Sequence, residues 1–153
     1  MQVEGFSVLH NREVIVEETT AGATQVRPRS ARALERAMAA ARTADDNRGK
    51  NIVILDMREL TTMFDYFVIV TGTSRRQLHA ISEEIDRVLE REMGDRRLGI
   101  EGYEQSRWIL LDYGDIVVHM FDAETRDYYA LEDLWAKAVR VPFEPRRDEP
   151  PAS

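Results

Sequence analysis

Eight residues, 65–72 (DYFVIVTG), constrain this chain more than any others. A near-continuous apolar run of that length suits a strand buried on both faces. Residues 52–57 (IVILDM) read the same way. After Gly72, Ser74 opens a long helix, with Gln77 at the partner position of a capping box. The apolar positions of that helix, Leu78, Ile81, Ile85, Val88 and Leu89, follow helical spacing, and Gly94 is its stop. Upstream, Ser30 caps a helix with Leu34, Ala37, Met38 and Ala41 on its apolar side, ended by Asn47-Arg48-Gly49.

Further along, 98–102 is a short strand candidate, and 107–112 with 115–121 reads as a hairpin joined by Tyr113-Gly114. That turn pairs Leu111 with Ile116, Ile109 with Val118, Leu110 with Val117 and Trp108 with His119. Asp122 or Thr125 starts a short helical turn. Leu131, Leu134, Trp135, Ala138 and Val139 then fall at i, i+3, i+4, i+7 and i+8, a core-facing helix stripe. The order α, β, β, α, β, β, β, α, α combines a β-α-β unit, which favours parallel pairing, with an antiparallel hairpin. The expected fold is α/β: a mixed β-sheet with flanking helices.

The 153 residues suit one domain, placed at 30–141, with an N-terminal extension over 1–29 expected to be mobile and a proline-rich, disordered tail over 142–153. The absence of cysteine removes disulfides, thiolate metal sites and cysteine nucleophiles together. His10, His79 and His119 form no close pair at ligand spacing, so no metal is expected. No apolar run reaches membrane-spanning length and no signal-peptide pattern opens the chain, so the expected location is cytoplasmic.

Charge is concentrated in one place. Residues 98–135 hold nine carboxylates against two arginines, a net −7 equal to that of the whole chain. Tyr103, Trp108, Tyr113, Phe121, Tyr128, Tyr129 and Trp135 are interleaved with them. Such a surface suits docking to a basic protein. It suits nucleic-acid phosphates poorly, since counterion release favours lysine and arginine, so little direct nucleic-acid binding is expected.

Three constellations could carry function. Gly72, Thr73, Ser74 and Arg75, followed by Arg76, could hold an anion at a helix N-terminus, and the strand–Gly-Ser–helix entry is similar to that of nucleotidyltransferases. The second glycine and the Lys-Ser/Thr of a P-loop are missing, and a capped helix with solvated arginines explains the same residues. Asp112 and Asp115 flank the hairpin turn, where acids are common for backbone reasons. No Asp-x-Asp or Asp-x-Glu pair on a strand follows the Gly-Thr-Ser turn, and no catalytic residue is assigned. The hairpin has two apolar faces: Ile109, Leu111, Ile116, Val118 and Met120 on one, Trp108, Leu110, Val117, His119 and Phe121 on the other. Either one face is an exposed binding surface or helices cover both.

Residues 65–74, Glu101-Gly102, 108–115 (WILLDYGD), Val117-Val118-His119, Arg126, Tyr128-Tyr129 and 131–135 (LEDLW) together resemble the ribosomal silencing factor, or Iojap-like, family from about residue 45 to 141. The resemblance implies a nucleotidyltransferase-like fold without the catalytic acids, no enzymatic activity and no cofactor. It implies binding to the large ribosomal subunit through its fourteenth protein, blocking the small subunit from joining and so repressing translation. Carried over by position, Trp108 and Leu110 would be apolar anchors, with Tyr103 and Tyr113 beside them. Glu101, Asp112 and Asp115 would face partner cations. The alternative is a nucleotide-binding transferase using the 72–74 turn. A homodimer that hides the hairpin face could coexist with silencing.

Overall fold

The computed structural model describes residues 30–146. The extension expected over 1–29, the Ser30 side-chain cap and the end of the tail, 147–153, lie outside what it describes. Helix α1 (Ser30–Asp46) is followed by strands β1 (Lys50–Asp56) and β2 (Tyr66–Gly72), then helix α2 (Arg75–Arg87), which continues through a π-helical turn at Val88–Glu92. Strands β3 (Gly99–Glu101), β4 (Trp108–Asp112) and β5 (Ile116–Asp122) come next. Short helices α3 (Ala123–Tyr129) and α4 (Leu131–Leu134) lead to a last strand, β6 (Val139–Val141). The sheet order is β3-β4-β5-β2-β1-β6, with β2 and β5 parallel and the other neighbours antiparallel. The mixed sheet with flanking helices expected from the sequence is what forms.

Strand β2 is buried along its whole length, as its unbroken apolar run requires. Tyr66, Val68 and Val70 join one core with Ile109, Leu111, Val118 and Met120, closed by the alanine stripe of α1 and by Leu78, Ile81 and Ile85 of α2. Phe67 and Ile69 join a second core with Trp108, Leu110, Val117 and Phe121. No long helix covers that second face. Met57 and Phe64 from the β1–β2 connection and Leu131 of α4 cover it instead, with Tyr129 and Trp135 partly buried against it. Both faces of the hairpin are therefore core.

The hairpin register differs from expectation by two residues. Tyr113 N–H donates to Ile116 O at 3.0 Å, and Leu111 pairs with Val118, Ile109 with Met120 and Trp108 with Phe121. The loop residues are thus Gly114 and Asp115. Gly114 takes φ +94° at the first loop position, which a two-residue hairpin turn demands, and its N–H is held by the Asp112 carboxylate at 2.9 Å. A two-residue slip preserves each side chain's face, so the expected face assignment stands.

The helix expected through Val139 ends after one turn. The chain unwinds at Trp135 and returns as β6, pairing Val139 with Asp56 and Val141 with Ile54. Antiparallel β1–β2 pairing leaves the outer edge of β1 open, and satisfying those backbone groups outweighs the helical spacing of Leu131 to Val139. Leu134 and Val139 are exposed as a result. Residues 142–146 of the expected tail lie against α1: Phe143 packs on the first core beneath Arg42, and Arg146 N–H donates to Asp45 at 2.8 Å.

Candidate functional site

Parallel β2 and β5 end side by side, Gly72 opposite Asp122, and α2 and α3 leave toward opposite faces of the sheet. In α/β proteins ligands enter at such a switch point. Here it is closed by the chain itself. Ser74 Oγ accepts from Gln77 N–H at 3.0 Å, the expected cap. The Gln77 side chain reaches back to Thr73 rather than Ser74, accepting from its N–H at 2.6 Å and its hydroxyl at 2.9 Å. Its amide donates to the carbonyls of Asn47 and Arg48. Arg75 donates to the Glu104 carbonyl at 2.7 Å, and Asp122 caps α3 by accepting from Thr125 N–H at 2.7 Å. A Cβ on Gly72 would lie 2.5 Å from Leu78 Cδ2, so the glycine admits a buried leucine. Gly72, Thr73 and Ser74 thus spend their polar groups on one another and on neighbouring loops, while Arg75 commits one arm to the Glu104 carbonyl. This arrangement does not favour the transferase reading. Among the described residues, no three His, Asp or Glu side chains are placed to hold a metal ion.

The proposed anchors need correction. Trp108, Leu110 and Tyr113 are 3%, 1% and 2% exposed. They are core because the β1–β2 connection and the C-terminal helices cover one face and α1 and α2 the other. Asp115 is 8% exposed and bound at 2.5 Å by Arg36, which also pairs with Asp95. It therefore holds the hairpin turn to α1, with its carboxylate taken up by Arg36 where a partner cation was expected. Asp112 supports the turn while remaining partly exposed, and Glu101 and Tyr103 are also partly buried. Tyr113 donates to Asp86 at 3.1 Å, and burial raises its hydroxyl pKa.

Beneath the covered face, Trp108 Nε1–H donates to His119 Nδ1 at 3.1 Å. The proton of the neutral ring is then on Nε2, which has no hydrogen-bond partner. Phe67 meets this ring edge-on at 4.7 Å. Complete burial pushes the imidazole down to about 3, so it is neutral in ordinary buffers.

Sequence reasoning missed two buried arginines and one exposed patch. Arg36 is described above. Arg126, on α3, donates to Thr71 Oγ1 at 2.8 Å and to the Asn51 carbonyl, and pairs with Glu132 at 3.3 Å. It clamps the irregular start of β1, where Asn51 takes φ +50°. Because Arg126 is committed inward, α3 and α4 turn outward a surface with no cation of their own. Tyr128 is 80% exposed and Leu134 57%. Glu124, Asp127 and Asp133 are exposed around them without an ion pair among the described residues. Tyr128 packs edge-on against Tyr129, which in turn meets Trp108, each at about 5 Å. The acidic segment and its aromatics were legible in the sequence. The position of the adjacent tyrosines between two helical turns predicts one exposed ring and one buried; that Tyr128 is the exposed one was not legible.

The family model described as ribosomal silencing factor during starvation matches residues 30–153. The protein named Ribosomal silencing factor RsfS from Halalkalibacterium halodurans is 41% identical over 105 residues, covering 69% of this chain and 89% of its own length. The protein of the same name from Bacillus subtilis is 42% identical over 99 residues, covering 65% and 83%. A crystal structure of a Chromobacterium violaceum protein aligns with a TM-score of 0.64 at 34% identity, covering 74% of this chain and 95% of that one.

Proposed function

Because the chain belongs to the ribosomal silencing factor family, we propose that it binds the large ribosomal subunit through its fourteenth protein and sterically prevents the small subunit from joining. The family match over residues 30–153 carries this reading. Family membership makes the chain a ribosome-associated regulator of translation. The partner protein and the blocking step are the finer proposal. Ribosomes work in the cytoplasm of a bacterium, and among the described residues no helix is long and apolar enough to cross a membrane.

The docking face we assign is that of α3 and α4. Tyr128 and Leu134 supply exposed apolar area, and Glu124, Asp127 and Asp133 supply unpaired charge. A basic ribosomal protein complements both. Rim carboxylates of this kind mainly speed encounter and make association salt-sensitive, whereas a desolvated tyrosine at the centre of an interface carries about 2 kcal/mol. No bond is made or broken: a bound body of 17.7 kDa occupies volume that the small subunit needs, and affinity sets the fraction of subunits silenced.

The test is light scattering of purified small and large subunits at raised magnesium, with this protein preincubated on the large subunit. Association should be lost. Tyr128→Ala, whose ring is mostly in solvent, should restore it without lowering the unfolding midpoint. Normal association at saturating, folded protein overturns the silencing reading. Undiminished silencing by Tyr128→Ala combined with Leu134→Ala overturns the assignment of the face.

A further inference from the structure

At the other side of the switch point, α2 carries Arg75, Arg76, His79 and Glu83 along its exposed flank, and the 102–107 loop lays Tyr103 over it. The Tyr103 ring stacks on His79 with centroids 4.0 Å apart and planes within 7°. Its hydroxyl donates to Glu83 at 3.1 Å. His79 Nε2 faces the Tyr103 carbonyl at 2.7 Å and Ser106 Oγ at 2.6 Å. A carbonyl only accepts, so Nε2 carries the proton. That protonation removes His79 as a base toward Ser106 and makes it a lock on the ring pair. Ser106 Oγ itself donates to the same carbonyl at 2.8 Å, which ties the loop a second time.

The result is an open groove of about 560 Å³ with a rigid, stacked aromatic wall and arginines beside it. Arg75 is oriented by its bond to the Glu104 carbonyl and keeps its other N–H groups. Arg76 is exposed without a partner among the described residues, and Arg107, at the end of the same loop, is exposed too. On a chain of net charge −7, the groove's own lining carries two arginines, Arg75 and Arg76, against one carboxylate, Glu83, whose Oε1 is engaged by the Tyr103 hydroxyl.

We propose that this groove binds an unpaired RNA strand, with phosphates on Arg75 and Arg76 and a base added to the His79–Tyr103 stack. Arginine forks match phosphate oxygens, and every nucleobase has a face to stack on an aromatic wall. A peptide carboxylate would use the arginines but gain nothing from the rings. The proposal reverses, for this one patch, the expectation drawn from net charge. It rests on the ribosome reading only for the source of the RNA.

The experiment is fluorescence anisotropy of the full chain with a labelled oligoadenylate of about ten nucleotides, between 50 and 200 mM salt. Binding should be saturable and salt-dependent. Arg76→Ala should flatten the log–log salt slope by about 0.7, the share of one phosphate contact on a single strand. Tyr103→Ala should weaken binding about tenfold or more, and Tyr103→Phe, which keeps the ring, should bind like the parent. Arg140→Ala, on the far edge strand, should change nothing. Absence of saturable binding at 50 mM salt overturns the proposal, as does an Arg76→Ala slope equal to the parent's. Displacement of the RNA by polyglutamate as readily as by unlabelled oligoadenylate also overturns it and assigns the groove to an acidic peptide. The titration contains no ribosomes, so its failure leaves the subunit-joining reading standing, and failure of subunit blocking leaves this groove standing.

Discussion

Replacing His119 by a residue that cannot titrate should remove a defined acid sensitivity from the fold. The ring is fully buried and its pKa is pushed down from 6.5 to about 3 by desolvation. In the unfolded chain the imidazole returns to its ordinary value. Below pH 6.5 the unfolded state therefore binds a proton that the folded state refuses until the pH approaches 3. Acid then favours unfolding: the contribution is absent above pH 6.5 and grows by up to about 1.4 kcal/mol per pH unit below it. Between pH 7.5 and pH 5 it amounts to about 2 kcal/mol. His119→Gln keeps an oxygen acceptor for the Trp108 indole and loses the ring packing against Phe67, an offset that does not depend on pH. Urea unfolding followed by tryptophan fluorescence, run on parent and variant at both pH values, isolates the histidine, because every other titrating group cancels in the difference. The parent should lose about 2 kcal/mol more than the variant on acidification. Parallel losses in the two proteins, or a folded-state His119 titrating near 6.5 by NMR, would refute the account.

Two further outcomes follow from the packing. Arg36→Ala leaves Asp115 buried without its cation and should cost about 3–5 kcal/mol, read as a fall in the urea midpoint. Adding Asp115→Asn should recover part of that loss. Gly102 sits at φ +75°, where a Cβ would overlap the Trp108 carbonyl in the adjoining strand, so Gly102→Ala should cost at least about 2 kcal/mol, read by thermal unfolding.

How much could be seen in advance depended on whether a feature was local. Residues 52–57 and 65–72 announce strands because an apolar run that short can satisfy its surroundings only inside a sheet, and β1 and β2 lie there. Ser74 and Gln77 announce a helix start because capping needs only residues a turn apart, and both side chains do cap. Alternation along 107–121 determined which side chains share a face, and that held through a two-residue change of register. Alternation says nothing about what covers a face. Cover came from Phe64, Leu131 and Tyr129, distant in the chain, and it turned Trp108 and Leu110 from candidate anchors into core. The same kind of non-local term made β6 out of an apparent helix, because an open strand edge was nearby to pair with. Nothing local marked Arg36 and Arg126 as buried, because a buried cation is recognisable only once its carboxylates and carbonyls have been brought to it. The sequence by itself determined strands β1 to β5 and helices α1 and α2, the two faces of the hairpin and the acidic character of residues 98–135. Only the tertiary structure decided which aromatic side chains meet solvent, because exposure is set by every element packed around a residue and not by its neighbours along the chain.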